Sequence, residues 1–161
     1  MALDMFLKIG DIKGESQDKV HKGEIDVLAW SWGMSNSGST QVGGSGGAGK
    51  VNVQDLSFTS YVDSAAPLLM KAVALGTRIP SALLTVRKAG GTQVEYLKIT
   101  MTEVLVSSLS TGGSGGEDRL TENVSLNFAK VKVEYQPQDT GGKPLGKPIP
   151  FEFDIAGNKP L

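Results

Sequence analysis

Residues 50–76 read KVNVQDLSFTSYVDSAAPLLMKAVALG, the one stretch where a strand period gives way to a helix period. Val51 and Val53 alternate with Asn52 and Gln54, as in a half-buried strand. Past Asp55 the phase changes, and Leu56 and Phe58 alternate with Ser57 and Thr59. A strand cannot exchange its faces without an extra residue or a crossing, so a bulge is expected near Asp55. The strand is predicted to run to Val62. Asp63 and Ser64 then offer N-cap oxygens, and Pro67 falls in a first helical turn, where a missing N–H costs little. Ala65, Leu68, Leu69, Ala72, Val73 and Gly76 recur at steps of three and four. That is the apolar stripe of a helix over about 64–75, stopped by Gly76. No other segment reads as a helix, so the rest should be sheet on which this helix packs.

The chain has 161 residues, which suits one domain (1–161) with a real core. Its 16 Lys+Arg stand against 17 Asp+Glu, a net charge of -1, which gives no general field for nucleic acid or an anionic membrane. There is no Cys, which excludes disulfides, thiolate metal sites and a cysteine nucleophile. Zero Cys leaves the compartment open. There are 21 Gly, and they cluster most densely in two runs, 38–49 and 112–116, that read as long hairpin tips.

Leu3, Met5, Leu7 and Ile9 alternate with Asp4 and Lys8 as a first strand, and those two charges interrupt any signal-peptide core. No stretch approaches the roughly 20 apolar residues of a membrane span. The next strand, Glu24 to Asn36, sets Ile25, Val27 and Ala29 against Leu28, Trp30 and Trp32. One face of it ends small, in Ala29, Ser31 and Gly33. Further strands are read at Pro80 to Lys88, Thr92 to Ser110 and Leu120 to Gln136. In the last, Val124, Leu126 and Phe128 share one face, while Ala129, Val131, Val133 and Tyr135 share the other. A strand apolar on both sides suggests contact with the helix or another subunit. Residues 137–161 are Pro/Gly-rich around one alternating piece, Phe151 to Ile155.

Three features invite a chemical reading. Gly44 to Lys50 matches the G-x-x-x-x-G-K core of a phosphate loop, but Val51 and a strand follow where Ser or Thr and a helix are needed. The reading preferred is a hairpin tip. His21 is the only histidine, and with no second His and no Cys it reads as a loop residue fixing hydrogen bonds rather than a ligand. Asp55, Asp63, Glu95 and Glu103 have no spacing that makes any two converge as an acid/base pair. No catalytic, cofactor or metal residues are assigned.

Several ordered blocks resemble the haemolysin-coregulated protein (Hcp) family of type VI secretion systems. They are GES-x-D-x-x-H at Gly14 to His21, DVLAWSWGMSNSG at Asp26 to Gly38, and VQDLSFTSYVDSAAPLLMKAVALG at Val53 to Gly76. RKAGGTQVEYLKIT at Arg87 to Thr100 and the run from Val104 through LNFAKVKVEYQPQ complete the series. The resemblance spans about residues 5–136; nothing is carried over to the C-terminal segment.

The resemblance implies a mainly β fold: a small barrel of two packed antiparallel sheets with one short helix on its side, similar to phage tail-tube proteins. It implies hexameric rings that stack into a tube, driven out of the cell by a contractile sheath and tipped by a spike of VgrG type. Such rings assemble in the bacterial cytoplasm, leave through the type VI system without a signal peptide, and receive effectors in their lumen. On this footing Ala29, Ser31 and Gly33 are expected to line the lumen, with Trp30 and Trp32 in the core or the subunit seam. Val124, Leu126, Phe128, Val131, Val133 and Tyr135 are the candidates for the subunit interface. The tips carrying Gly44, Gly46 and Gly47, and Gly113 and Gly115, are expected to help rings stack. Nucleic acid, membrane and cofactors are not expected partners. Two rival readings are a stand-alone barrel for a small ligand and a nucleotide enzyme using residues 44–50.

Overall fold

The computed structural model describes residues 2–38 and 50–161. The elements run β1 (Leu3–Ile9), β2 (Ile25–Ser31), β3 (Met34–Asn36), β4 (Val51–Val53), β5 (Leu56–Tyr61) and α1 (Ala66–Leu75). They continue with β6 (Arg78–Lys88), β7 (Glu95–Gly112), β8 (Thr121–Tyr135), β9 (Ile149–Asp154) and β10 (Lys159–Pro160). The strands β8-β5-β2-β1-β6-β7 are neighbours in that order, and β7 pairs back onto β8. The sheet therefore closes on itself as a small antiparallel barrel, which removes most of its open edges. The two layers expected from the sequence are opposite walls of this one sheet. On the edge away from β7, the first half of β8 pairs with β5 and the second half with β9. β3 and β4 form a separate two-stranded ribbon.

The change of phase at Asp55 is a break between strands, not a bulge. β4 belongs to the ribbon and β5 to the barrel, with Gln54 and Asp55 between them. The bulge lies instead in β2, where the register to β5 shifts between Val27 and Ala29. It leaves Leu28 exposed and turns Trp30 to the core side that Ile25 and Val27 occupy. Ala29, expected beside Val27, faces outward with Ser31.

The two-sided apolar pattern of β8 also has an internal cause. Ile79, Val104 and Phe128 lie side by side across β6, β7 and β8, and so do Ala82, Met101 and Val131. All six are buried, although the two rows are three residues apart along each strand instead of two. Between the rows stands Glu103, with φ at 53°, a left-handed conformation that Cβ sterics disfavour. At this level the inward face of three neighbouring strands changes parity together, as a corner of a closing sheet requires. Pro80 sits at the same level outside the ladder, where no N–H is needed. Val124, Leu126, Phe128 and Val131 are therefore core residues of one chain, and their assignment to a subunit interface is withdrawn. Val133 is half-buried and Tyr135 exposed.

Helix α1 buries Ala66, Leu69 and Ala72. Leu68, read as part of the inner stripe, is instead 46% exposed. The N-cap position is Ala65, without a side-chain cap. Asp63 acts one step earlier: its Oδ1 accepts the Ala65 N–H at 2.9 Å. The Ser64 N–H goes to Glu15 Oε2 at 2.7 Å and ties the loop after β1 to the helix start. Gly76 ends the helix with φ at 60°, and Thr77 N–H returns to the Ala72 carbonyl at 3.1 Å.

Candidate functional site

Closing the barrel gives the outward side of β2, β5, β8 and β7 a regular composition. Ser31 pairs with Ser57, Ser57 with Ser125, and Ser125 with Ser108, so four strands place serines in one row. The next row is Ala29, Thr59, Asn123 and Ser110. Neighbours in these rows bond to each other: Ser57 Oγ lies 3.0 Å from Ser125 Oγ, and Thr59 Oγ1 donates to Asn123 Oδ1 at 2.7 Å. Beside these rows, Asp55 is held on both oxygens. Ser107 Oγ donates to Oδ2 at 2.7 Å and Asn127 Nδ2 to Oδ1 at 2.9 Å. The result is a smooth, uncharged wall around a shallow depression of about 430 Å3.

Ala29 and Ser31 thus share this wall. Gly33 does not: it lies past the end of β2, and a Cβ there would stand 3.3 Å from Gln54 Oε1. Ser57, Thr59, Ser108, Ser110, Asn123 and Ser125 were not singled out from the sequence. Their outward phase is visible in the alternation, but pairing across strands so far apart in the chain is not. Trp30 and Trp32 are half-buried and pack on the core. Gly113 and Gly115 lie on the tip between β7 and β8, while Gly44, Gly46 and Gly47 fall outside the described residues.

On the barrel wall built by β1, β6 and β7, the loop after β1 is clamped by buried charge. His21, 7% exposed, holds Glu24 at 3.0 Å through Nδ1 and Glu95 at 2.5 Å through Nε2. Phe6 stacks on the imidazole, with ring centroids 4.4 Å apart, and the Arg87 guanidinium lies 4.9 Å from the centroid of the Phe6 ring. Arg87, 3% exposed, donates to Asp18 at 2.6 Å and to Asp4 at 3.0 Å. The Arg87 hydrogen bond holds the Asp18 carboxyl well below the usual range, and Asp18 in turn raises Arg87. Gly14 permits the close fold of the loop, since a Cβ there would meet the Glu24 carbonyl oxygen at 2.6 Å.

The four carboxylates considered from the sequence do not converge. Asp55 holds Ser107 and Asn127, Asp63 accepts from Ala65, Glu95 holds His21, and Glu103 lies 3.7 Å from Arg78. A fifth, Glu122, was not noticed in the sequence. It is fully enclosed at the β5–β8 end of the core, bonded among the described residues only to Ser60 Oγ at 3.3 Å, and burial pushes its pKa up. Among the described residues no three His, Cys, Asp or Glu are grouped to hold a metal ion. No helix among them is long and apolar enough to cross a membrane.

A closed antiparallel barrel with one flanking helix and a hydroxyl-lined outer wall is the architecture of this chain. The chain belongs to the Hcp family: the family described as "Type VI secretion system effector, Hcp" matches residues 6–135. It is 67% identical over 159 residues to Protein hcp1 of Pseudomonas aeruginosa, covering 98% of both chains. The crystal structure of Hcp1 from Salmonella typhimurium, 41% identical, superposes with a TM-score of 0.81 over 100% of both chains. A structure titled "Structure of a type six secretion system protein", 33% identical, gives a TM-score of 0.93 over 99% of this chain and 100% of that one.

Proposed function

We propose that this chain is a structural subunit of a type VI secretion inner tube. Six copies close into a ring, rings stack, and the lumen carries effectors that leave with the tube, in company with a spike of VgrG type and sheath and baseplate proteins. Assembly takes place in the bacterial cytoplasm, and export needs no signal peptide. The observation that carries the reading is the wall of paired small hydroxyls on β2, β5, β8 and β7. A carrier must hold different cargoes weakly and release them, and such a wall has neither strong charge nor large apolar anchors. Ala29 and Ser31 lie on that wall, while Gly33 lies past the end of β2. The subunit seam takes Val133 and Tyr135, which pair with the exposed Phe151 and Ile149 of β9 and extend the apolar inner face past the end of the barrel. The tip with Gly113 and Gly115 serves stacking, as does the glycine-rich run that carries Gly44, Gly46 and Gly47. The role is structural rather than catalytic, and Lys50→Ala should leave ring size unchanged.

Native mass measurement tests the ring, and a monomer at micromolar concentration would refute it. Ser31→Gln tests the lumen. The ring should still form while effectors recovered with it in a pull-down fall. Failure of the ring to form would make Ser31 a packing residue.

A further inference from the structure

On another side of the barrel from the hydroxyl wall, a groove of about 590 Å3 runs between α1 and the start of β6. Its floor is apolar: Ile12, Ile79 and the 46% exposed Leu68. Its rim carries three cations from three elements, Lys8 on β1, Lys71 on α1 and Arg78 on β6. Among the described residues lining the groove, Asp11 alone is acidic. Lys8 and Lys71 have no carboxylate within 4.0 Å among the described residues. Arg78 lies 3.7 Å from Glu103, but both side chains are mostly in water, where such a pair holds weakly. In a chain of net charge -1, this is a local reversal of sign around an unpartnered apolar floor.

We propose that this groove docks an acidic amphipathic segment of another protein. Its apolar side chains fill the floor beside Leu68, and its carboxylates reach Lys8, Lys71 and Arg78. That pairing buries the exposed leucine and gives each rim cation a counter-charge, as interface complementarity requires. A second copy of this chain is a poorer occupant. Its own acidic, aromatic strand, β9, is already laddered between β8 and β10, and Asp154 Oδ1 accepts the Gly157 N–H at 2.9 Å. A flat anionic surface would not reach a concave floor.

The test pans short random peptides displayed on phage against the full-length protein, with a Lys8→Glu/Lys71→Glu double variant as counter-selection. Both lysines are exposed, so the fold and the native mass should not change. Recovered peptides should interleave carboxylates with leucine or aromatic residues. In fluorescence anisotropy they should bind the double variant at least ~10-fold more weakly than the wild type, a loss of about 1.4 kcal/mol. Versions of the same peptides with Lys in place of Glu should prefer the double variant. Neutral or basic peptides, equal affinity for the two proteins, or no reversal on charge exchange would overturn the proposal. So would a double variant whose native mass drops, because the groove would then be covered by a second copy.

Discussion

The Nε2 of His21 lies 2.5 Å from Oε2 of Glu95, 74 residues further along the chain, while Nδ1 lies 3.0 Å from Glu24. The only histidine is therefore a clamp, fixing the loop after β1 to the start of β7. Removing it leaves Glu24 and Glu95, both partly buried, without the ring that bridges them. His21→Ala should lower stability by roughly 1.5–3 kcal/mol, the scale for hydrogen bonds to charged groups. Urea unfolding at fixed protein concentration measures it. A midpoint equal to the wild type's would mean that the loop is held by Arg87 and its two aspartates alone.

Leu69 is completely enclosed beneath α1. Truncation there removes transfer energy and leaves a cavity between helix and sheet. Leu69→Ala should cost about 2–5 kcal/mol. Leu68→Ala, one position away on the exposed side, should cost far less. Equal losses in thermal unfolding would show that the helix is rotated from the placement described here.

Much of this fold was legible because period reports burial locally. The helix, its stop at Gly76 and the strand leading into it follow from residues 50–76 alone. What period cannot report is a change of face that several strands make together. Val124, Leu126 and Phe128 on one phase and Val131 on the other read as two faces, one of them left over for a partner. They are one face bent at a corner, and the cause sits on other strands, at Glu103 and Pro80. The bulge in β2 was hidden for a similar reason, since Leu28 and Trp30 look equivalent until the register to β5 is known. On the hydroxyl wall, Ala29 and Ser31 were legible as small residues. Their partners Ser57, Ser125 and Ser108 needed the order of strands. His21 with Glu95, and Arg87 with Asp4 and Asp18, are contacts that no spacing encodes.

Glu103 offers a direct check on the corner. Its φ of 53° disfavours any residue with a Cβ, and a β-branched one most. Ordinary strand propensity would rank Val well above Gly at a position inside β7. The corner reverses the order: Glu103→Gly should be at least as stable as the wild type, and Glu103→Val about 1–2 kcal/mol less stable than Glu103→Gly. The ion pair lost with Arg78 is exposed and contributes little. Thermal unfolding of the two variants side by side decides it, and a more stable Val variant would mean that the strand does not turn here.

Glu122 couples the barrel to pH. Its side chain is fully enclosed, with one oxygen near Ser60 Oγ and the other without a partner among the described residues. Burial raises its pKa above the ordinary 4.5, the Ser60 hydrogen bond works against this, and the Asp63 charge adds to the rise. The sign follows from linkage. The folded state holds this proton more tightly than the unfolded chain, so Glu122 is most favourable to folding below pH 4.5. Its contribution is lost as pH climbs from there toward the folded pKa, and above that the fold carries a buried charge. Glu122→Gln keeps the shape and cannot ionise. It should raise the unfolding midpoint at pH 7 to 8 by more than at pH 4 to 5, so that the gap between variant and wild type widens with pH. Other carboxylates titrate across the same range, and for that reason the quantity to follow is the difference between the two proteins rather than either curve. A gap that stays constant across the range, or one that narrows as pH rises, would mean that Glu122 is solvated in the folded barrel.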